Sequence, residues 1–483
     1  MKRLATVMAA AAVLLVSVIA PVKTMAQDGG KENKGIKDWH ACNPGRTQWT
    51  TEEKLYALSA AWMEVKRSCA FMKNIGEERW DSIYRSLIKP ATETDDDGFS
   101  LLMARFMASL KDGHTGLTYN RRNKYYGTTN YFDARWYFTL SYCDGQVMAV
   151  SVAKEKEKIV PLGSTVVSVD GRPIGEVMDE MMKEVLASTD YGRASAAAGR
   201  LLSGAVGTRR TVTFRRPDGR EISLELTNKY VGNVDAVHFT RFAPTDKQFC
   251  LEWPADDIAL ITVNTFGDSK VVDEFDKVFP EIRRRARKVI IDISHNGGGN
   301  TSNAAGIISH FIEGNRISSG RWTTPSYNAA YASWGRYISP RDTAGSSWKR
   351  ECYLNYTHRN VYDGGHMMHE YSDDYPRHIV PTVILTSVNT ASAAEDMLMM
   401  TDGQKHIVRM GLPTNGSTGN PLMVDLLPDL GIRVCTLEET YPDGRPFVGI
   451  GIKPDIEVPD TYENLKQADD YLVKAALKYL KKK

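Results

Sequence analysis

A chain of 483 residues is long for one hydrophobic core, so two or three domains are expected. With 42% hydrophobic and 25% charged residues it can bury such cores, and it lacks the composition of a disordered or membrane-embedded protein. A formal net charge of +2 gives it no electrostatic reason to seek nucleic acid.

The first 26 residues differ from the rest. A basic tip (Lys2, Arg3) precedes an apolar stretch from Met8 to Ala20 and then Thr24-Met25-Ala26, the pattern of a cleavable export signal. The apolar run is too short to favour a membrane span. Export would place the protein in the periplasm, at the cell surface or outside the cell. Removing 1–26 takes away Lys2, Arg3 and Lys23 and no acid, which turns the balance weakly negative. The six cysteines are scattered without CxxC spacing, so neither a zinc site nor a disulfide miniprotein is suggested, and any pairing stays open.

Residues 27–45 are polar and Gly-rich and read as a linker. An N-terminal helical domain is expected over 46–130. Thr50 with Glu53 forms a capping-box pattern, Leu55, Leu58, Trp62 and Val65 recur at helical spacing, and a second helical pattern (Trp80, Ile83, Tyr84, Leu87) should stop at Pro90. A third, Leu101 to Leu110, stops at "KDGHTG". Over 131–232, short β-like runs alternate with Asp-Gly turns at 144, 170 and 218, which predicts a β-rich module. Strands then alternate with helices over 233–460: "IALITVNTF" before "VVDEFDKVFPEIRRRA", "KVIIDISHNGGG" before "NAAGIISHFI", and "TVILTS" before "AAEDMLMM". This is the pattern of an α/β domain with buried strands. A polar, aromatic insertion occupies 315–375, and a C-terminal helix is expected in 461–483. The basic cluster Arg283 to Lys288 suits a helix C-terminus better than a phosphate site.

Three stretches carry residues for acyl chemistry. Ser392 falls between a strand and a helix, where the unpaired N–H groups of the helix start, Ala393 first, can face a developing negative charge. "DISHNGGGN" (292–300) ends a strand in three glycines, so Gly297 or Gly298 can supply a second main-chain donor. His114 lies in a turn after a helix, and imidazole is the side chain best suited to take a proton near neutral pH. Each has a plainer reading as a helix cap, a tight turn or a structural histidine, and spacing alone does not bring them together.

In their order and approximate spacing, "LKDGHTG", "VIIDISHNGGG", "ILTSVNTASAAED", "GLPTNGSTG" and "GIGIKPDIEV" resemble the serine peptidases related to C-terminal processing proteases and tricorn protease, the S41 type. The resemblance runs from the first helical segment to Val458. It implies an α/β S41-like catalytic domain, an N-terminal helical domain and a PDZ-like β-rich module, with "PLGSTVVSVDGRPI" (161–174) as a PDZ-like strand and turn. It implies Ser392 as nucleophile, His114 as general base, and Gly298 and Ala393 as oxyanion donors.

Departures from the pattern matter as much. Where processing proteases carry a lysine base in TxGKG, this chain has Ser417, and Lys405 lies outside the motif. Ser294 replaces the usual arginine of DxRxNxGG. Gly113 stands where tricorn-like members have a serine, and no glutamate precedes the GxxPD-like segment, which leaves the third catalytic member open: Asp455 is the nearest carboxylate to orient His114, with a structural role at the strand end as its plainer reading. Glu395, one turn past Ser392, suits the helix dipole. "HMMHE" (366–370) has the wrong order for a zinc helix. Ser346 and Lys349 form an SxxK match without KTG or SDN, and GxSxG is absent.

The expectation is an exported serine peptidase acting on protein or peptide substrates, with no cofactor, no metal and no nucleic-acid partner; the sequence leaves its oligomeric state open. The alternative is a catalytically inactive peptide-binding protein on the same scaffold.

Overall fold

The structure, a computed structural model, describes residues 49–119, 137–203, 207–228, 234–427 and 430–483. The expected export signal, the 27–45 linker and Cys42 lie outside the described residues.

The α/β organisation expected from the alternating pattern is present. Six strands form the central sheet, in the order Ile456–Glu457, Ile407–Gly411, Thr382–Thr386, Lys288–Asp292, Ile258–Val263 and Phe249–Ala255. All pairs are parallel except the last, which is antiparallel. Such strands are covered on both faces, which is why "KVIID" and "TVILT" are apolar almost throughout. Side chains alternate between the faces. Val289, Ile291 and Ile384 pack with the helices Lys270–Arg285, Thr301–Ile308 and Ala393–Met400. Ile290, Val383 and Leu385 meet Leu472, Ala476 and Leu480 of the C-terminal helix Tyr471–Leu480.

That second face is also where the β-rich module docks, because its Cys143, Met148, Val150 and Phe239 share the same core. The module is one sheet in the order Phe138–Cys143, Gln146–Ala153, Thr165–Val169, Arg209–Arg215 and Glu221–Thr227, with Arg172–Pro173 and Ala236–His238 paired at its sides. At two of the expected Asp-Gly turns both residues have positive φ, Asp144-Gly145 and Asp170-Gly171, which fits the right-handed twist of a two-residue hairpin.

The first helices, Thr51–Ser68, Glu77–Glu93 and Asp96–Ala108, pack around Trp80, whose ring stacks on Phe106 at 3.9 Å. Thr50 and Glu53 form the expected capping box. The helix expected to stop at Pro90 runs on to Glu93. Pro90 removes only one hydrogen bond near the helix end, and the added turn buries Ala91. The same core takes Leu426, Leu430, Ile432 and Val434 from a small sheet in which Gly116–Tyr119 pairs with Leu430–Cys435, and that strand with Pro421–Leu427. Gly116 lies opposite Arg433. This pairing ties the loop that holds His114 to the last part of the chain.

The insertion is an arm: Arg316–Pro325 pairs with Val361–Glu370 and with Glu438–Thr440, and the arm carries the helices Ala329–Gly335 and Ser347–Tyr356. His366 and His369 lie on a strand, where residues three apart point to opposite faces. Ser346 caps the helix Ser347–Tyr356 by accepting from the Lys349 N–H, which accounts for the SxxK match. Among the described residues no helix is long and apolar enough to cross a membrane.

Candidate active site

Strand Thr382–Thr386 leads into a buried turn in which Ser387 N–H donates to Thr390 Oγ1 (3.0 Å) and Thr390 Oγ1 donates to Ile293 O (3.1 Å). These bonds lock the turn against the neighbouring strand end and deliver Ser392 to the first position before the helix Ala393–Met400. Ser392 has φ 56° and ψ −127°. A non-glycine residue at positive φ costs of order 1–3 kcal/mol, so the surroundings must hold it there.

The hold is visible. Ser392 N–H donates to Ser417 O (2.9 Å) and to the Glu395 carboxylate (3.1 Å). Glu395, expected only to suit the helix dipole, is fully buried and also accepts from Gly416 N–H (2.8 Å), Ser417 N–H (3.0 Å) and the Thr414 hydroxyl. One carboxylate thus binds the nucleophile candidate and the Thr414 to Ser417 loop together. Burial pushes Glu395 up to about 7, against the pull of the four donors.

The glycine loop closes the other side. Gly298 has φ 101°, and a side-chain carbon there would lie 2.6 Å from Ser392 Cβ and 3.1 Å from Ala393 N, so only glycine allows this approach. The Gly298 N–H donates to Asn296 Oδ1 at 2.9 Å. Ala393 N–H begins the helix and has no acceptor within it. The loop does without the arginine of the usual motif: Ser294 N–H donates to Asp292 Oδ1 at 2.9 Å, and Asn296 Nδ2 donates to Val263 O at 3.0 Å.

His114 reaches the same place from the first third of the chain. Its Nδ1 lies 2.6 Å from Ser417 Oγ, across 303 residues of sequence. The ring is buried, its Nε2 has no hydrogen-bond partner, and no hydrogen bond joins it directly to Ser392. Burial, aided by the nearby Arg433 guanidinium, lowers its pKa to about 3 and keeps the imidazole neutral. Arg433 NH2 donates to Gly113 O (2.7 Å) and Ser188 Oγ accepts from Gly113 N–H (3.0 Å), so the turn is fixed on both sides of residue 113. Asp112, raised by burial, accepts from Thr115 Oγ1 at 2.6 Å.

Ser392, His114, Gly298 and Ala393 therefore converge around the Ser417 loop. Asp455 does not join them: it accepts from Arg409 N–H (2.8 Å) and forms a salt bridge with the Arg409 guanidinium (3.1 Å), and no hydrogen bond links it to His114. Lys405 is exposed. Sequence reasoning missed Ser417 and Glu395 as members of the site. The serine in the lysine place was the available signal for the first, and an acid at N3 of a helix that, Asp396 apart, is otherwise apolar for the second. Among the described residues no group of three or more His, Cys, Asp or Glu side chains is placed to hold a metal ion.

Comparison with known proteins bears on the fold and on the family of its α/β part. No curated protein matches the chain by sequence. Mature CPAF complexed with lactacystin superposes with TM-score 0.66 at 15% identity, covering 89% of this chain and 98% of that one. A second structure of mature CPAF gives 0.66 at 14%, covering 89% and 97%. At these identities the likeness establishes the fold. The photosystem II D1 C-terminal processing protease, at 16% identity with 87% and 99% covered, has TM-score 0.46 and adds nothing to that conclusion. Residues 257–458, which hold five of the six strands of the central sheet, the glycine loop and Ser392, match the family model described as Peptidase family S41. That stretch is an S41-type domain, and with it the chain is a serine-type peptidase.

Proposed function

We propose that the chain is an exported endopeptidase or processing peptidase in which Ser392 attacks the peptide carbonyl. In this reading the Ser392 proton passes to His114 Nε2 as the bond to the carbonyl carbon forms, and His114 returns it to the leaving amine. Water then attacks the acyl-serine by the same route, which restores the hydroxyl and releases the acid. Ala393 N–H and an N–H of the glycine loop receive the oxyanion. Gly298 N–H must leave Asn296 Oδ1 to do so. The observation that carries the reading is Ser392 itself, held at positive φ at a helix start with Gly298 against its Cβ and with His114 bonded to Ser417, the residue that also accepts from the Ser392 N–H.

The β-rich module is assigned the role of holding a substrate tail by strand addition. The features that support this are its end strand Phe138–Cys143, with Gln146–Ala153 as its one partner strand among the described residues, and the helix Asp190–Arg200 beside it, where Tyr191 packs on Tyr142 at 5.8 Å. Export rests on the sequence of residues 1–26 alone.

A fluorophosphonate tests the chemistry. Labelling should occur in the purified chain and vanish in Ser392→Ala. Because His114 stays neutral well below the ordinary 6.5, the labelling rate should persist through pH 5 rather than fall below pH 6.5. Absence of labelling in folded protein would favour the peptide-binding alternative, which draws support from the unpartnered His114 Nε2 and the occupied Gly298 N–H.

A further inference from the structure

Ser392 and His114 leave a question that the sequence could not answer: what orients the imidazole. Asp455 is bound to Arg409. Asp112 meets Thr115 and Ser188, and Glu395 meets main-chain N–H groups, Thr414 and nothing on the ring. The group that does face Nδ1 is the Ser417 hydroxyl at 2.6 Å.

We infer that Ser417 is the positioning residue for His114, its hydroxyl oxygen accepting from Nδ1–H so that the imidazole presents Nε2 as the nitrogen free to take the Ser392 proton. The inference rests on the proposed Ser392 and His114 chemistry. An imidazole can act as base through one nitrogen only when the other carries the proton, and the bond made by that other nitrogen selects the tautomer. Nε2 is buried and unpartnered, so it is the nitrogen left for the reaction.

Two further observations fit. The loop carrying Ser417 is held rigidly, by Ser417 N–H on Glu395 and Ser417 O on the Ser392 N–H, so the hydroxyl is fixed relative to the nucleophile as well as to the ring. At residue 113, a side-chain carbon would lie 2.5 Å from Ser417 Oγ. The glycine before the histidine and the serine in the lysine place are therefore one arrangement: the hydroxyl of residue 417 fills the space that a side chain at 113 would take. The charged and titratable groups around it are Asp112 on the same turn, Arg433 on the paired strand and Glu395 on the helix. None of them bonds the ring nitrogens.

The test uses the full chain and four variants, Ser417→Ala, Ser417→Thr, Gly113→Ala and His114→Ala, with two readouts. In fluorophosphonate labelling, loss of one hydrogen bond worth about 1 kcal/mol should lower kinact about fivefold in Ser417→Ala without changing KI. Ser417→Thr, which keeps the hydroxyl, should stay within about twofold of the parent on the same reasoning. Gly113→Ala, which presses on Ser417 Oγ, should reproduce the loss. Ser417→Ala labelling at the parent rate while His114→Ala is dead would overturn the role of Ser417 and leave the proposed chemistry standing. Parent-like labelling of His114→Ala would defeat the proposed chemistry itself. The second readout does not need activity: nitrogen NMR of labelled histidine should show His114 protonated at Nδ1, with that resonance moved in Ser417→Ala and restored in Ser417→Thr. A parent spectrum with the proton on Nε2, or an Nδ1 signal indifferent to Ser417→Ala, refutes the inference whether or not the protein turns anything over.

Discussion

Glu395 and Asp396 are neighbours on one short buried helix, and their surroundings could hardly differ more. Glu395 faces donors: three main-chain N–H groups and a threonine hydroxyl converge on it. Asp396 faces Thr301 at 2.6 Å, Thr418 at 3.5 Å and another acid, Glu439, whose own carboxylate takes the Thr418 hydroxyl at 3.1 Å. Burial pushes Asp396 up to about 7, and burial together with the Asp396 charge drives Glu439 well above its usual range. A buried carboxylate among N–H donors serves as an organiser of backbone. A buried carboxylate against a second one must share a proton. Here the first arrangement builds the site, and the second clasps the helix of Ser392 to the strand Glu438–Thr440, which is paired with the insertion arm.

The contrast can be broken most severely at Glu395. Replacing it with alanine leaves the Gly416 and Ser417 N–H groups buried without an acceptor and the Ser392 N–H with Ser417 O alone. Destabilisation of about 3 kcal/mol or more in denaturant unfolding is expected, together with loss of fluorophosphonate labelling. Retained labelling with an unchanged midpoint would show that the nucleophile turn holds itself.

The acid pair gives a pH effect of intermediate size. Both carboxyls have folded pKa values above their unfolded ones, so the stability they confer is complete below about pH 4, near the ordinary carboxylate values, and is lost as pH rises through about 7 for Asp396 and through the raised value of Glu439. Unfolding free energy should drop between pH 5 and pH 8.5, a fall to which Glu395, also raised to about 7, contributes. Glu439→Gln should flatten that slope by removing one of the two competing charges. A slope unchanged in this variant would place its origin elsewhere.

The smallest effect belongs to Asp455, a partly exposed acid paired with Arg409. Asp455→Asn should cost about 0–1 kcal/mol and leave labelling at the parent rate, since such pairs are worth little and this one does not reach His114. A large loss of labelling would return Asp455 to the site.

Much of the fold was legible because its signals are local. Apolar runs such as "KVIID" and "TVILT" can only be buried strands, and Asp-Gly pairs mark hairpins wherever positive φ is needed. The capping box at Thr50 and Glu53 needs only three residues. The helix past Pro90 was misread because the stop rule ignores what a further turn can bury. At the site, the residue types at 114, 298, 392 and 393 were legible from motif order, but their mutual geometry was not.

What the sequence by itself determined was the set of elements and the chemistry available to each: a serine at a strand-to-helix seam, a glycine run at a strand end and an imidazole in a turn. Only the tertiary structure decided which groups meet. Pairing of Gly116–Tyr119 with Leu430–Cys435 carries His114 to the Ser417 loop, and burial decides that Glu395 organises backbone while Asp396 and Glu439, both on the Thr418 hydroxyl, are pushed upward. The physical reason is that local patterns follow backbone geometry over a few residues, whereas hydrogen-bond partners and desolvation depend on contacts hundreds of residues apart.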